Sequence, residues 1–339
     1  MNLKTICLTG IALFLVLPSL IIGKEVEAEE NDSVGFSVSP IFNEAQNKES
    51  NFFDLTVVPD SVQEIGVIIT NQSTEESSYE IQIAQASTNK NGVIDYSNMK
   101  GTLAKTVPFI ISEQASFEVS VKVPAGESKT VPIKINIPKN SFTGEVLGGI
   151  NVTKDLPEKK ASQITNQFSY VIGLRMRERE ENPERNLVAG DISPTVVFGG
   201  TGIEWPITND RSVSMGKLQV DSVLKREGKE VAKETYTDRE IAPDSVYPYS
   251  LKVDKKDYVP GKYELNVVIS DVQGNRWEFN EAFELSEKEV KAVSEAAIQP
   301  QEDSSYLLWV LIIIFIVIIL LLLIYIIMMK RRNKKQIEE

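Results

Sequence analysis

The chain reads as an all-β protein: two tandem immunoglobulin-like antiparallel β-sandwich domains, then a single C-terminal transmembrane helix. Three features of the sequence predict this. Short runs between Val34 and Leu285 alternate apolar and polar residues at period two, as half-buried strands do. Turn clusters such as NQST, NKNG, PAGES and PKNSFTG interrupt these runs at the short spacing of a sandwich. Near the C-terminus, Leu307–Met329 is uncharged and almost wholly apolar.

At the N-terminus, one early cation, Lys4, precedes the apolar run ICLTGIALFLVLPSLIIG, and Ala28 offers a small residue for cleavage. This is the pattern of a secretory signal peptide over 1–28, with a retained N-terminal anchor as the alternative. The only cysteine, Cys7, stands too early in the run for a lipoprotein signal.

Strands are expected at Phe52–Pro59, Gln63–Thr70, Ser78–Ala86, Ser116–Pro124, Lys129–Pro138 and Gly261–Ser270. In FEVSVKV, Phe117, Val119, Val121 and Val123 would share one face of a single strand. A charged, Pro-containing segment, Thr153–Ser162, separates a first domain (34–153) from a second (163–285). The polar, helix-forming segment after Leu285 is read as a helical or flexible stalk (286–306). Leu307–Met329 gives roughly 35 Å of helix at about 1.5 Å per residue, enough for about 30 Å of hydrocarbon. Trp309 stands near its start, and Lys330, Arg331 and Arg332 open a basic tail (330–339) that would remain cytoplasmic.

Composition removes several chemistries. The chain has no histidine, and its one cysteine would leave with the signal peptide. Nucleophilic catalysis by His or Cys is thereby excluded, as are most zinc sites. Carboxylate chemistry, a Ser–Lys pair or oxygen-ligated calcium remain. A net charge of −12 argues against nucleic acid as a partner. No cofactor is expected.

One stretch concentrates oxygen ligands: ASTNKNGVIDYS, Ala86–Ser97. If Gly92 is set at the sixth position of a calcium loop, Ser87 falls where Asp is needed and Asn98 where a bidentate Glu is needed. The metal reading therefore fails. Asn-Gly between two apolar runs instead predicts a tight hairpin turn. Asn89, Asn91, Asp95 and Tyr96 are kept as exposed candidates for binding. RMRERE (Arg175–Glu180) reads as a solvated strand edge, whose arginines could hold a carboxylate-bearing peptide. Tyr247, Tyr249 and Tyr258 could form a binding surface or half-bury in a sandwich. Trp205 and Trp277 read as core. Gly148 and Gly149 would allow a bulge or a close backbone approach. LPEKK (Leu156–Lys160) lacks the Thr and Gly of a sortase signal and reads as linker.

Four fragments in order, FSVSPIFNEAQ, FFDLTVVPDSVQEIGVIITNQS, YEIQIAQASTNKNGVIDYS and PKNSFTGEVLGGINV, resemble the first domain of the WxL-interacting proteins of Gram-positive bacteria. ITNQFSYVIGLRMRE, IEWPITND, IAPDSVYPYSLKV and VPGKYELNVVISDVQGNRWEFNEAFEL resemble that family's second domain. The resemblance implies a non-enzymatic, membrane-anchored scaffold on a Gram-positive surface. Its first domain would bind peptidoglycan, and its second would bind WxL-domain surface proteins, with host matrix proteins as a further candidate. It supplies no catalytic residue. The rival reading is a wall hydrolase working through paired carboxylates about 5–9 Å apart.

Overall fold

The computed structural model describes residues 34–155, 167–297 and 305–335, the last with side chains only over Ile312–Met328. The expected signal peptide, the LPEKK segment, the later part of the stalk and the final residues of the tail lie outside the described residues.

The first sandwich is made of β1 (Phe36–Ile41), β2 (Phe53–Thr56), β3 (Val62–Asn71), β4 (Ser77–Gln85), β7 (Ala115–Phe117), β8 (Ser120–Val123), β9 (Ser128–Asn136), β10 (Glu145–Lys154) and β11 (Ser169–Arg177). A small hairpin, β5 (Ser87–Thr88) with β6 (Ile94–Asp95), and a helical turn, α1 (Ile111–Gln114), interrupt the series. One sheet has the order β1-β3-β9-β7 and the other β2-β11-β10-β4-β8. Alternation sends Ile65, Val67 and Ile69 of β3 and Val131, Ile133 and Ile135 of β9 inward. There they meet Tyr79, Ile81 and Ile83 of β4 and Ile150 and Val152 of β10 in one core.

Two expectations change here. FEVSVKV is not one strand: it breaks after Phe117, so that β7 pairs with β9 in one sheet and β8 with β4 in the other. Val119, at the crossing, is 55% exposed. A strand that turns a sandwich corner cannot keep one face buried throughout. The expected second domain also opened at 163, whereas β11 is an interior strand of the first sandwich. It pairs antiparallel with β10 along Glu145↔Arg177 to Thr153↔Ser169, and parallel with β2 through Leu174↔Phe53. Leu174 and Met176 are buried in the first core. RMRERE is thus no free edge.

The second sandwich follows: β12 (Leu187–Ala189), β13 (Ser193–Val197), β14 (Gly200–Asn209), β15 (Met215–Arg226), β16 (Lys229–Ile241), β17 (Ser245–Lys252), β18 (Gly261–Ser270) and β19 (Arg276–Leu285). β14 pairs with β12 and β13 on one side and β17 on the other; the facing sheet has the order β16-β15-β18-β19. Trp205, Tyr247, Tyr249, Tyr258 and Tyr263 fill its core. The tyrosines considered for a binding surface are therefore interior, and burial pushes the Tyr247 and Tyr258 phenols up to about 12. Trp205 still satisfies its indole N–H by donating to the Gly190 carbonyl at 2.8 Å.

The first part of the expected stalk is a packed helix, α2 (Glu287–Ala296). Ser286 and Glu289 form a capping box at its start, and Val293 buries against the second core with Val290 beside it. A polar segment can still dock when two apolar residues three apart share a face. The last helix, α3 (Ser305–Lys335), is 31 residues long. Over the described side chains alone, no helix is long and apolar enough to cross a membrane; the helical backbone continues past both ends of the exposed Ile312–Met328 run. Trp309, Lys330, Arg331 and Arg332 fall within this helix, with their side chains outside the described residues.

Candidate functional site at the domain junction

The ASTNKNGVIDYS stretch forms the expected tight turn, with Gly92 at φ 63°. Its polar atoms are spent locally. The Asn89 side-chain oxygen accepts from the Asn91 and Val93 amides, and the Asp95 carboxylate from the Ser97 and Asn98 amides and the Ser97 hydroxyl. Asn91 is exposed, while Asn89, Asp95 and Tyr96 are half-buried. The turn is not free in solution, because it is seated on the second sandwich. The Gly92 carbonyl accepts from the Glu240 amide at 2.7 Å, and Lys90 pairs with Glu204 at 3.4 Å. A Cβ on Gly92 would crowd the Arg239 side chain and the Tyr247 ring, and its φ of 63° favours glycine. Sequence reasoning found the turn but not its partner, which lies about 150 residues downstream.

Around this latch the two sandwiches share buried polar contacts. Thr88 and Ser245 hydroxyls meet at 2.7 Å, and the Ala242 amide donates to Thr88 Oγ1 at 3.0 Å. Thr106 and Ser212 both donate to the buried carboxylate of Asp244, each at 2.6 Å. Burial raises the Asp244 pKa above the usual carboxylate value, the Asp210 charge adds to that, and those two hydrogen bonds with Arg211 oppose it. Glu145 Oε1 accepts from the Ser214 amide at 2.8 Å and its hydroxyl at 2.6 Å. Ala86, Leu147 and Ala242 form a small apolar cluster with Ile94 and Tyr96.

Beside this seam, on the outer face of the β2-β11-β10-β4-β8 sheet, lies a groove of about 440 Å³. Gly173 and Leu147 lie on its floor; in register beside Gly173, Gly149 pairs with Ala84 and is covered by Tyr96. At Gly149 a Cβ would collide with the Tyr96 carbonyl, so the expected close backbone approach occurs there. Phe52 and Tyr96 form walls, Val171 (43% exposed) the open rim, and Glu145, Arg175 and Ser214 the polar end.

That polar end is rigid. Arg175 Nε and Nη2 donate to the two oxygens of Asp54 at 2.9 and 2.6 Å, while its guanidinium lies 5.8 Å from the Phe52 ring centroid and 3.9 Å from Glu145. Asp54 has no exposed side-chain surface. Burial works against its charge, but hydrogen bonds from Arg175 and Asn47 and the charges of Arg175 and Arg177 prevail, holding its pKa below the usual value. Hydrogen bonding to Asp54 holds Arg175 charged more firmly still. Arg175 is thus already committed to a carboxylate within the fold. Glu145 lines the groove and Asp54 holds Arg175 at its polar end, and both serve this network. Neither was foreseen, since Asp54 and Arg175 lie 121 residues apart and meet only through the β2–β11 pairing.

These features define a class: a tandem β-sandwich protein whose domains are joined by buried polar contacts, with a shallow groove beside the joint. Residues 36–154 match the peptidoglycan binding domain of WxL Interacting Protein, and residues 159–295 match its host binding domain. The chain belongs to the WxL-interacting protein family. No curated protein matches it. Among solved structures, a chaperone–tip adhesin complex of CFA/I fimbriae is 13% identical, covering 73% of this chain and 97% of that one, with a TM-score of 0.29. The Escherichia coli chaperone DraB is 14% identical over 74% and 96%, with a TM-score of 0.26. The Acinetobacter baumannii CsuC–CsuE complex is 15% identical over 63% and 90%, with a TM-score of 0.28. Likenesses this distant imply nothing further about this chain.

Proposed function

We propose that this protein is a non-enzymatic, membrane-anchored scaffold of a Gram-positive cell surface. The observation that carries the reading is the match of both domains, in order, to one family whose domains are described as peptidoglycan binding and host binding. In this reading the chain is exported by its signal peptide. It has two immunoglobulin-like sandwiches outside and spans the membrane once through Leu307–Met329. Lys330–Lys335 stay in the cytoplasm as the positive stop. The first domain binds peptidoglycan; the second holds WxL-domain surface proteins, with host matrix proteins as further partners. Tethering beside the wall raises effective concentration, so individual contacts need only be weak.

The groove is the proposed peptidoglycan contact. A floor kept low by Gly173, two aromatic walls and a few fixed polar groups suit the face of a pyranose ring, with Glu145 Oε2 and Ser214 at hand for its polar edge. The hydrolase reading is less favoured, because Asp54 is buried and its pKa is lowered, the opposite of what a general acid requires.

The test keeps residues 34–297 in one piece, since β11 follows the first family match yet completes the first sandwich, and the junction joins the two sandwiches. This chain is pelleted with washed peptidoglycan sacculi and, separately, pulled down with a WxL-domain protein. Val171→Arg and Gly173→Leu fill the groove from its rim and floor. They are expected to weaken pelleting about tenfold, equivalent to about 1.4 kcal/mol, and to leave the WxL interaction unchanged. A chain that binds neither target sinks the reading. Pelleting that ignores both substitutions removes the groove from it.

A further inference from the structure

The second sandwich carries an unusual turn at the pole away from the first. β13 and β14 are joined by Phe198–Gly199, with φ 46° and 78°. Two positive φ values make the tight hairpin geometry that Asn-Gly or Gly-Gly adopts without strain. A bulky aromatic residue there is a steric outlier, and such outliers cluster where function requires them. Phe198 is the one aromatic residue with left-handed backbone among those described. Phe198 is 68% exposed, more than any other aromatic residue whose exposure the structure describes. An apolar ring on a strained backbone, held in water, gains nothing from the fold itself.

Its position indicates what would cover it. β14 and β17 pair from Asn209↔Ser245 to Gly202↔Lys252. The Ser245 end is docked on the first domain: Ser245 meets Thr88, and the Val246 amide donates to the Thr102 carbonyl at 3.0 Å. The Phe198 end lies about 23 Å further along, at about 3.3 Å per residue. There Phe198, Lys252, Lys255, Ser294 and Ala297 share a depression of about 420 Å³. Ala297 ends the second described stretch, and Ser305 opens α3. Eight residue steps reach at most about 28 Å. The pole that presents Phe198 is therefore the pole from which the chain leads to the apolar helix. Lys252, Lys255 and Lys256 are exposed around it, with Asp254 and Asp257 offsetting two of their charges.

We propose that this pole is a foot that rests on the outer surface of the bilayer. Phe198 inserts at the headgroup level, and the lysine stems lie along the interface with their ammonium groups at the phosphates. The foot stands the second sandwich on the membrane and directs the first outward into the wall. The inference rests on α3 spanning the bilayer.

The test uses the full chain in nanodiscs of mixed zwitterionic and anionic phospholipid, some of it brominated near the carbonyls. Phe198→Trp adds an indole, and its emission is the variant spectrum minus the wild-type spectrum, which removes Trp205, Trp277 and Trp309. Resistance to carbonate extraction from vesicles reads the anchor separately. The expected result is a blue-shifted added emission that loses most of its intensity to brominated lipid, in a chain that resists extraction. An unquenched indole in a chain that resists extraction overturns the foot and leaves the anchor standing. Extraction by carbonate overturns the anchor and the foot with it. An added indole already shielded in lipid-free detergent means that a second copy or another protein covers the hairpin, which also overturns the proposal. If Phe198→Trp does not fold, Phe198→Cys carrying an environment-sensitive dye, with Cys7 replaced, reads the same contact.

Discussion

The assignment of β11 to the first sandwich makes a prediction that the domain boundaries alone would reverse. A fragment covering 34–154 contains the whole peptidoglycan-binding match, yet it lacks β11. Without that strand, β10 loses its ladder from Glu145 to Thr153, and the core loses Leu174 and Met176, each about 1% exposed or less. Truncating such side chains to alanine costs about 2–5 kcal/mol each, and deleting the strand removes them entirely. Asp54 would also be left as a buried charge without Arg175 and Arg177, a loss of about 3–5 kcal/mol. Together these reach at least about 7 kcal/mol, against a total domain stability of about 5–15 kcal/mol. The fragment 34–154 is therefore expected to lack a cooperative transition, whereas 34–181 melts cooperatively. A synthetic peptide covering 167–181 should restore structure to the shorter fragment. The assay is circular dichroism during thermal and urea unfolding. If 34–154 unfolds cooperatively, with a midpoint close to that of 34–181, the assignment of β11 as an essential core strand is wrong.

The remaining predictions concern single residues. Arg175→Met removes the paired hydrogen bonds to Asp54 but leaves it Arg177 at 3.5 Å and Asn47 at 3.0 Å; it should cost about 1.5–3 kcal/mol of stability by urea denaturation, less than the loss of both arginines. Because the folded pKa of Asp54 is lowered, its stabilisation is present above the ordinary carboxylate pKa and is lost as pH falls through the folded value; Asp54→Asn should flatten that acid-side loss. Asp244 has the opposite sign. Its folded pKa is raised, so its contribution is full below the ordinary value and declines as pH rises through the folded one; Asp244→Asn should remove that decline. Gly144 has φ 88°, and a Cβ there would strike the Ser212 carbonyl. Gly144→Ala should lower stability by about 1–3 kcal/mol and expose the junction to hydrogen exchange at Glu145 and Ser214. Phe198→Asn suits its turn and should raise the stability of the soluble 34–297 chain by about 1 kcal/mol, seen as a melting temperature about 2–4 °C higher.

Much of the fold was legible because it is local. Period-two burial in VPIKINI is met by Val131, Ile133 and Ile135 at 0% exposure, since alternation is a property of the extended backbone itself. The NG turn was legible for the same reason, because the conformational freedom of Gly92 is its own. The failures have a common cause. FEVSVKV alternates along its whole length, but alternation does not say which sheet a strand joins. RMRERE appeared solvated because its charges alternate in sign, whereas Arg175 and Arg177 face Asp54 across a parallel pairing that no nearby residue announces.

From the sequence alone came an all-β chain with turn chemistry in place, a long apolar C-terminal helix with a basic flank, and no histidine for catalysis. These follow from backbone periodicity, side-chain polarity and composition, which need no knowledge of distant partners. Only the tertiary structure placed β11 in the first sandwich, seated Gly92 on Glu240 and built the groove. Each of these depends on two surfaces, far apart in the chain, matching in shape and in hydrogen bonding once both have formed. Such a match is settled between surfaces, and no local run of residues records it.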